Sequence, residues 1–453
     1  MITASLLVIS CSKDDADKPA VPTGVVTRHE VNTWILDSMR YFYLWNHTLP
    51  ARADSQPSAI DFFSMLKDKA DRFSTIYRPD NPSSNTRYML HTFGLTFNII
   101  SHTSAPGGAI GVVQLTVPGS GPANLGIKRG DYFIAINGTI LTPDNAASLS
   151  RSMLNSNDAV LTMATADNNV ITKRADITLN ARTIREQPIY KQDIRKVNGK
   201  NVAYLFYNAF NDSYNANVIH AFTQFKSVGA TELILDLRYN PGGSVAGAAL
   251  LNALVAPDID ENSTFAKYAG NNNMGHRTVS FKSALSVPEN NAPIQFSSLT
   301  DARLSLQRIF ILTGPQTASA AELTINTLKP YMQVIQIGQS TLGKDKAAVI
   351  ITDMRAPQRI PYTLLPVTYN LFNARDAGGY VDGITPDYQV DEMGKLPLAE
   401  IGEESDPLIA KAIAIISGGG REHILPEKSV KRYFDAQGDI ADKNILKIPT
   451  VLR

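Results

Sequence analysis

Apolar positions along this chain change their period twice, and each change marks a different kind of structure. A polar, Pro-containing stretch reaching about Gly24 carries too little apolar content to pack and reads as a tether. Thr27 and Glu30 then have the spacing of a capping box, and Val31, Trp34, Ile35, Met39 and Phe42 recur at helical spacing. A second amphipathic helix is predicted from Ser58 to Lys69, with Ile60, Phe63 and Leu66 on one face. Trp34 and Trp45 fall in or just after the first helix, and a small helical domain burying an aromatic face accounts for both without a ligand.

From about Thr92 to Thr183 the period shortens to that of strands divided by Gly, Pro and Asn. Predicted strands are Leu95 to Ile100, Ile110 to Leu115, Tyr132 to Ile136, Ala159 to Ala164 and Ile177 to Leu179, with one helix from Pro143 to Met153 that has Pro143 in its first turn. From about Ile184 strands and helices alternate, the pattern of an α/β domain. Val202 to Tyr207, Glu232 to Leu237, Ile309 to Thr313 and Gln333 to Ile337 read as strands, and Val218 to Val228 as a helix. The polar stretch from Pro257 to Leu299 exceeds what a compact core connection requires and reads as a surface excursion near the site. Beyond about Gly418 no motif is legible.

Composition narrows the function. At roughly 150 residues per domain, 453 residues allow about three domains. Lys and Arg number 43 against 42 Asp and Glu, and no basic stripe of the kind that neutralises phosphates appears, so a nucleic-acid partner is not expected. The single cysteine, Cys11, excludes an intramolecular disulfide framework and every Cys-rich zinc pattern. Met1 to Ser10 is apolar but far below the roughly 20 residues of a membrane-spanning helix, and it reads as the end of a secretory h-region. Val8-Ile9-Ser10-Cys11 resembles a bacterial lipobox, and Ser12-Lys13-Asp14-Asp15 looks like the charged tether of surface-directed lipoproteins. No Lys or Arg precedes the apolar run, which leaves a start codon upstream of Met1 open. The resemblance implies acylation of Cys11 and an outer-membrane lipoprotein facing the periplasm or the cell surface; the plainer alternative is a free cysteine in a frayed terminus.

Three segments carry candidate chemistry. The strand Glu232 to Leu237 runs into Asp236-Leu237-Arg238-Tyr239-Asn240-Pro241-Gly242-Gly243, and a Gly-Gly turn at the end of a buried strand exposes backbone N–H groups suited to a developing oxyanion. Ser244 gives this turn a superficial likeness to a nucleophile elbow, but Ala246 stands where that motif has Gly. Thr317-Ala318-Ser319-Ala320-Ala321-Glu322 lies between a strand and a helix, where the positive helix terminus stabilises negative charge beside Ser319 and the Ala320 amide is placed to join an oxyanion site. Alone, Ser319 would read as an N-cap. Gly338-Gln339-Ser340-Thr341-Leu342-Gly343-Lys344 follows the next strand; a lysine works as a base only where burial or a nearby cation lowers its pKa, and alone Lys344 would read as an exposed loop residue.

The middle region resembles a PDZ domain. Phe93-Gly94-Leu95-Thr96-Phe97 matches the carboxylate-binding loop, and Gly126 to Asp131 followed by Ile136-Asn137-Gly138 matches its central strand region. The resemblance implies peptide binding by Gly94, Leu95, Thr96 and Phe97, with the strand from Leu95 accepting an extended peptide as an added strand; the alternative is a PDZ-like spacer with a filled groove. Taken together and in order, the three chemical segments resemble the C-terminal-processing (tail-specific) serine peptidases of the tricorn-like clan. The likeness extends to Asp71-Arg72-Phe73-Ser74, Gly383-Ile384-Thr385-Pro386-Asp387 and Asp406-Pro407-Leu408. It implies a multidomain α+β fold: signal and tether (1–24), a helical domain (25–90), a β-barrel-like PDZ domain (91–183), an α/β (ClpP/crotonase-like) core (184–423) and a C-terminal tail (424–453). It also implies a Ser319 nucleophile, a Lys344 base, Glu322 as third polar member, an oxyanion hole from Ala320 with Gly242 or Gly243, a protein or peptide substrate, and no metal or cofactor. Ala321 and Asp345 depart from the family pattern, and Lys346 is the alternative base if the loop shifts register. Two rivals remain: a non-catalytic peptide- or hydrophobic-ligand-binding lipoprotein on the same scaffold, and an esterase using Ser244.

Overall fold

The computed structural model describes residues 24–81, 87–167, 170–289, 291–419, 430–435 and 446–448. The N-terminal helices are Arg28–Phe42 and Ala59–Leu66, each capped by the hydroxyl of the residue before it, Thr27 and Ser58. Only half of the expected capping box forms. Thr27 accepts from the Glu30 amide, but the Glu30 carboxylate turns away to Arg355 and Arg359. A distant pair of guanidiniums outcompetes a single local N–H for a carboxylate. The second helix stops at Leu66, because Lys67 leaves the helical region and its ammonium reaches Ser74 O. Its buried face is Ala59, Phe62, Phe63 and Leu66, whereas Ile60 is 51% exposed.

Residues 95–180 form an antiparallel sheet of Leu95–Ser101, Ala109–Thr116, Tyr132–Ile136, Asp158–Asp167 and Val170–Asn180, in that spatial order. All five predicted strands are present. The helix predicted from Pro143 starts at Ala146, because Thr142 and Asn145 exchange side chain-to-amide hydrogen bonds and hold that turn out of the helix. A sixth strand, Arg432–Asp435, pairs with the outer edge of Leu95–Ser101.

The largest hydrophobic cluster lies around a six-stranded sheet ordered Tyr388–Gln389, Gln333–Gly338, Arg308–Thr313, Glu232–Asp236, Lys200–Tyr207 and Ile189–Val197. Neighbours are parallel except for the final hairpin pair. The stretch 257–299 is more than a surface excursion. Thr264–Ala269 and His276–Ser280 pair with each other, and the first of them pairs with Val367–Phe372; Lys346–Val349 and Leu446–Ile448 complete this second sheet. Phe265, Ala266, Phe281 and Leu285 bury its apolar side. Among the described residues no helix is long and apolar enough to cross a membrane. Cys11 lies outside them.

Candidate active site

Three adjacent parallel strands end side by side, and the loops leaving their carboxyl ends carry the three candidate segments. This is where open α/β sheets place their ligand sites. The loops are bonded to one another: Ala318 N donates to Asn240 O at 3.0 Å, Thr317 Oγ1 to Leu237 O at 2.7 Å, and Leu342 N to Thr317 O at 3.0 Å.

Gly242 and Gly243 have φ of 103° and 132°. Besides that conformation, space forbids a side chain: a Cβ on Gly242 would stand 2.6 Å from Ser319 Cβ, and one on Gly243 would stand 2.2 Å from Phe210 O. Gly242 N is spent on Asn240 Oδ1 at 2.8 Å. Gly243 N has no intramolecular acceptor among the described residues, so of the two expected oxyanion donors only Gly243 has an N–H to offer. Ala320 N, at the first position of the helix Ala320–Leu328, is likewise unspent among the described residues, as helix-start amides are.

Ser319 is held at φ 58°, ψ −116°, a conformation that a non-glycine residue adopts only when its surroundings impose it. It is 1% exposed and stands at the N-cap of that helix with its side chain toward the Glu322 amide, yet among the described residues its Oγ makes no full hydrogen bond. A buried hydroxyl normally makes one, which leaves this Oγ an exception at a strained backbone position. Ala321, which departs from the family pattern, packs into the main core.

Glu322 ties the Ser319 and Lys344 loops together. Its Oε2 accepts from the amides of Ser319 and Lys344 at 2.9 and 2.8 Å, and its Oε1 from Gly343 N and Thr341 Oγ1 at 2.7 and 2.5 Å. Two residues 25 apart in sequence thereby share one oxygen atom. Burial pushes the Glu322 carboxyl up, against the pull of those four donors. Gly383 and Ile384 brace the same loop from outside, with Ile384 N donating to Thr341 Oγ1 at 2.7 Å.

Lys344 is fully buried, with Nζ 4.8 Å from the centre of the Phe73 ring. Asp71 sets that ring in place: its Oδ1 accepts from Phe73 N and Ser74 N, and its Oδ2 from Tyr43 OH. The sequence showed the Asp71-Arg72-Phe73-Ser74 motif only as the end of a helical domain. That it roofs the lysine needed the tertiary structure. Lys346 lies in the following strand and is paired with Asp345 at 2.6 Å. Ser244 is 2% exposed and caps the helix Val245–Val255 by accepting from Gly247 N, the ordinary occupation of a serine at a helix start.

The residues predicted to bind peptide lie in the antiparallel sheet. Gly94, at φ 80°, ends the helix Met89–Phe93, and Leu95, Thr96 and Phe97 are fully buried in the next strand. Phe97 packs against Phe133 at 5.0 Å between ring centres and against Phe434 at 5.7 Å. Between this sheet and the core lies an ionic cluster the sequence did not reveal. Arg238 binds Asp236, Asp406 and Glu392; Arg129, from the antiparallel sheet unit, binds Glu392, Tyr239 and the carbonyls of Gln114 and Ala399. Burial would raise the Glu392 carboxyl, but the two guanidiniums outweigh it and bring it down to about 2. A cavity of about 270 Å³ opens along Pro241, Gly242 and Gly243 and is bounded opposite by Asn208, Phe210 and Asp212.

Residues 201–390 match the model of peptidase family S41, and residues 30–75 that of the peptidase S41 N-terminal domain. The carboxyl-terminal-processing protease of Synechocystis is 24% identical over 364 residues, spanning 78% of this chain and 76% of its own length. That of Picosynechococcus is 23% identical over 327 residues, 70% of this chain and 69% of its own. An S41 protease structure from Bacteroides fragilis superposes with a TM-score of 0.68 at 26% identity, covering 88% of this chain and 99% of that one. A serine-type peptidase is the class these likenesses define. The chain belongs to peptidase family S41.

Proposed function

We propose that this chain is a cell-envelope serine endopeptidase that cleaves unstructured or C-terminal peptide segments with a Ser319–Lys344 dyad. One observation carries the reading: Ser319, strained and with a buried Oγ that makes no full hydrogen bond among the described residues, shares the Glu322 carboxylate with the amide of Lys344. In this mechanism Lys344 Nζ takes the Ser319 proton as Oγ attacks the scissile carbonyl, and the new oxyanion is held by the Ala320 and Gly243 amides. The lysine returns the proton to the leaving amine, and the same group then activates the water that hydrolyses the acyl-enzyme. Glu322 acts here as a positioning residue, because it fixes both loops through their amides. Lys344 is preferred to Lys346 because its amide shares the Glu322 carboxylate with Ser319, and Ser244 is set aside as a helix cap. The domain 91–183 is read as a PDZ module that presents peptide.

The test is to treat the purified chain with a fluorophosphonate serine probe and map the label by peptide mass. Label on Ser319 is expected; label on Ser244 would favour the esterase, and no label a binding protein. The envelope reading rests on the lipobox at Cys11. Labelled palmitate fed to expressing cells should enter the protein and disappear from a Cys11→Ala variant; equal labelling of both would sink the anchor.

A further inference from the structure

The strand edge that a peptide would need is already taken by this chain. Arg432–Asp435 runs antiparallel along Leu95–Ser101, with Asn98 opposite Asp435, Ile99 opposite Phe434 and Ile100 opposite Arg432, and Ser101 N donates to Lys431 O at 2.9 Å. It is the outermost strand of that sheet and packs beside the helix Ala146–Asn155. Tyr433 and Phe434 pack onto the sheet's apolar cluster. Arg432 pairs with Asp391 and donates to Gln339 Oε1 at 3.1 Å, and Asp435 accepts from Gln316 Nε2. Gln316 stands three residues before Ser319, and Gln339 five before Lys344. A short strand whose aromatics lie on one sheet and whose charges touch both candidate catalytic loops has the placement of a ligand.

We propose that segment 430–435 is the resident ligand of a strand-addition groove, and that protein substrates reach the catalytic loops by taking its place. The inference rests on the peptidase reading above and narrows it. The groove fits an extended segment with adjacent aromatics against the sheet and a basic and an acidic side chain three positions apart toward the core. Strand addition supplies main-chain hydrogen bonds to any sequence, and the side-chain contacts supply the selection. A groove that is mostly self-occupied weakens apparent substrate binding by the fraction of time it is open.

A reversible clamp tests this on the full chain. Directly opposed residues of an antiparallel pair lie about 4.5–5.5 Å apart between Cα atoms, within disulfide reach, so Asn98→Cys with Asp435→Cys, in a Cys11→Ser background, locks the segment in place when oxidised. Hydrolysis of an unfolded, thiol-free protein should fall at least ~10-fold on oxidation and return on reduction, while a small fluorophosphonate labels Ser319 in both forms. Equal hydrolysis in the two forms, with the disulfide verified by mass, overturns the proposal. A second arm needs no catalysis. In a Ser319→Ala background, a fluorescein-labelled peptide with the sequence of residues 430–435 should bind an Arg432→Glu/Phe434→Asp variant at least ~10-fold more tightly than the chain with its own segment intact. Equal binding overturns the proposal as well. Absence of Ser319 labelling together with differential peptide binding would remove the peptidase reading and leave the groove standing.

Discussion

Ser319→Ala and Lys344→Ala should each lower the turnover of an unfolded protein substrate by on the order of 10⁴-fold or more, with the folded structure kept. The expectation follows from the proposed dyad, in which the two groups act as a unit. Without Oγ there is no atom to form the acyl-enzyme. In the proposed mechanism Nζ is the group that takes the serine proton, so without it Oγ would have to attack while still protonated. The double variant should therefore be no worse than either single one, since residues of one catalytic unit are strongly non-additive. Turnover by the single variants, read by release of fluorescence from a labelled unfolded protein, decides the matter. A Lys344→Ala variant that keeps a tenth of the activity or more would return Lys346, or a water-based mechanism, to consideration.

The second large effect is on stability. Arg238 is 1% exposed and serves Asp236, Asp406 and Glu392 together. Arg238→Ala leaves three buried carboxylates with one guanidinium, that of Arg129, still near Glu392. Breaking a buried ionic cluster by removing one partner costs about 3–5 kcal/mol. The urea midpoint should fall accordingly, and a loss below about 1 kcal/mol would show that the cluster is not a keystone. Acid should reproduce part of this. The Glu392 carboxyl is depressed to about 2 in the fold, so its contribution is complete above its ordinary value of 4.5 and is lost as pH falls from there toward 2. Arg129 belongs to the antiparallel sheet unit and Arg238 to the core, so the same titration weakens the hold of one on the other.

The strands that carry the candidate loops were legible because each is a short apolar run closed by a turn of Gly or Asn, and burial on both faces writes that run into the sequence. Glu232–Asp236, Arg308–Thr313 and Gln333–Gly338 stand within a residue or two of their expected positions. Ile189–Val197 was not legible, because it is the sheet's exposed edge and carries Lys191, Gln192, Asp193, Arg195 and Lys196. Arg432–Asp435 and Leu446–Ile448 are too short to show a period. Ser319, Lys344 and Glu322 could be picked out by motif, but no pattern shows that Gly242 spends its amide on Asn240 or that a phenyl ring 271 positions earlier covers Lys344. Partners distant in sequence leave no local trace.

That ring has a further consequence. Phe73 is held by Asp71 and Tyr43, which belong to the N-terminal helical unit, while the lysine beneath it belongs to the α/β core. The burial of Nζ therefore depends on residues from two stretches of chain far apart in sequence. If Lys344 is the base proposed above, a local opening of the helical pair would let water reach it, and the stability of helices remote in sequence would set the reactivity of the lysine.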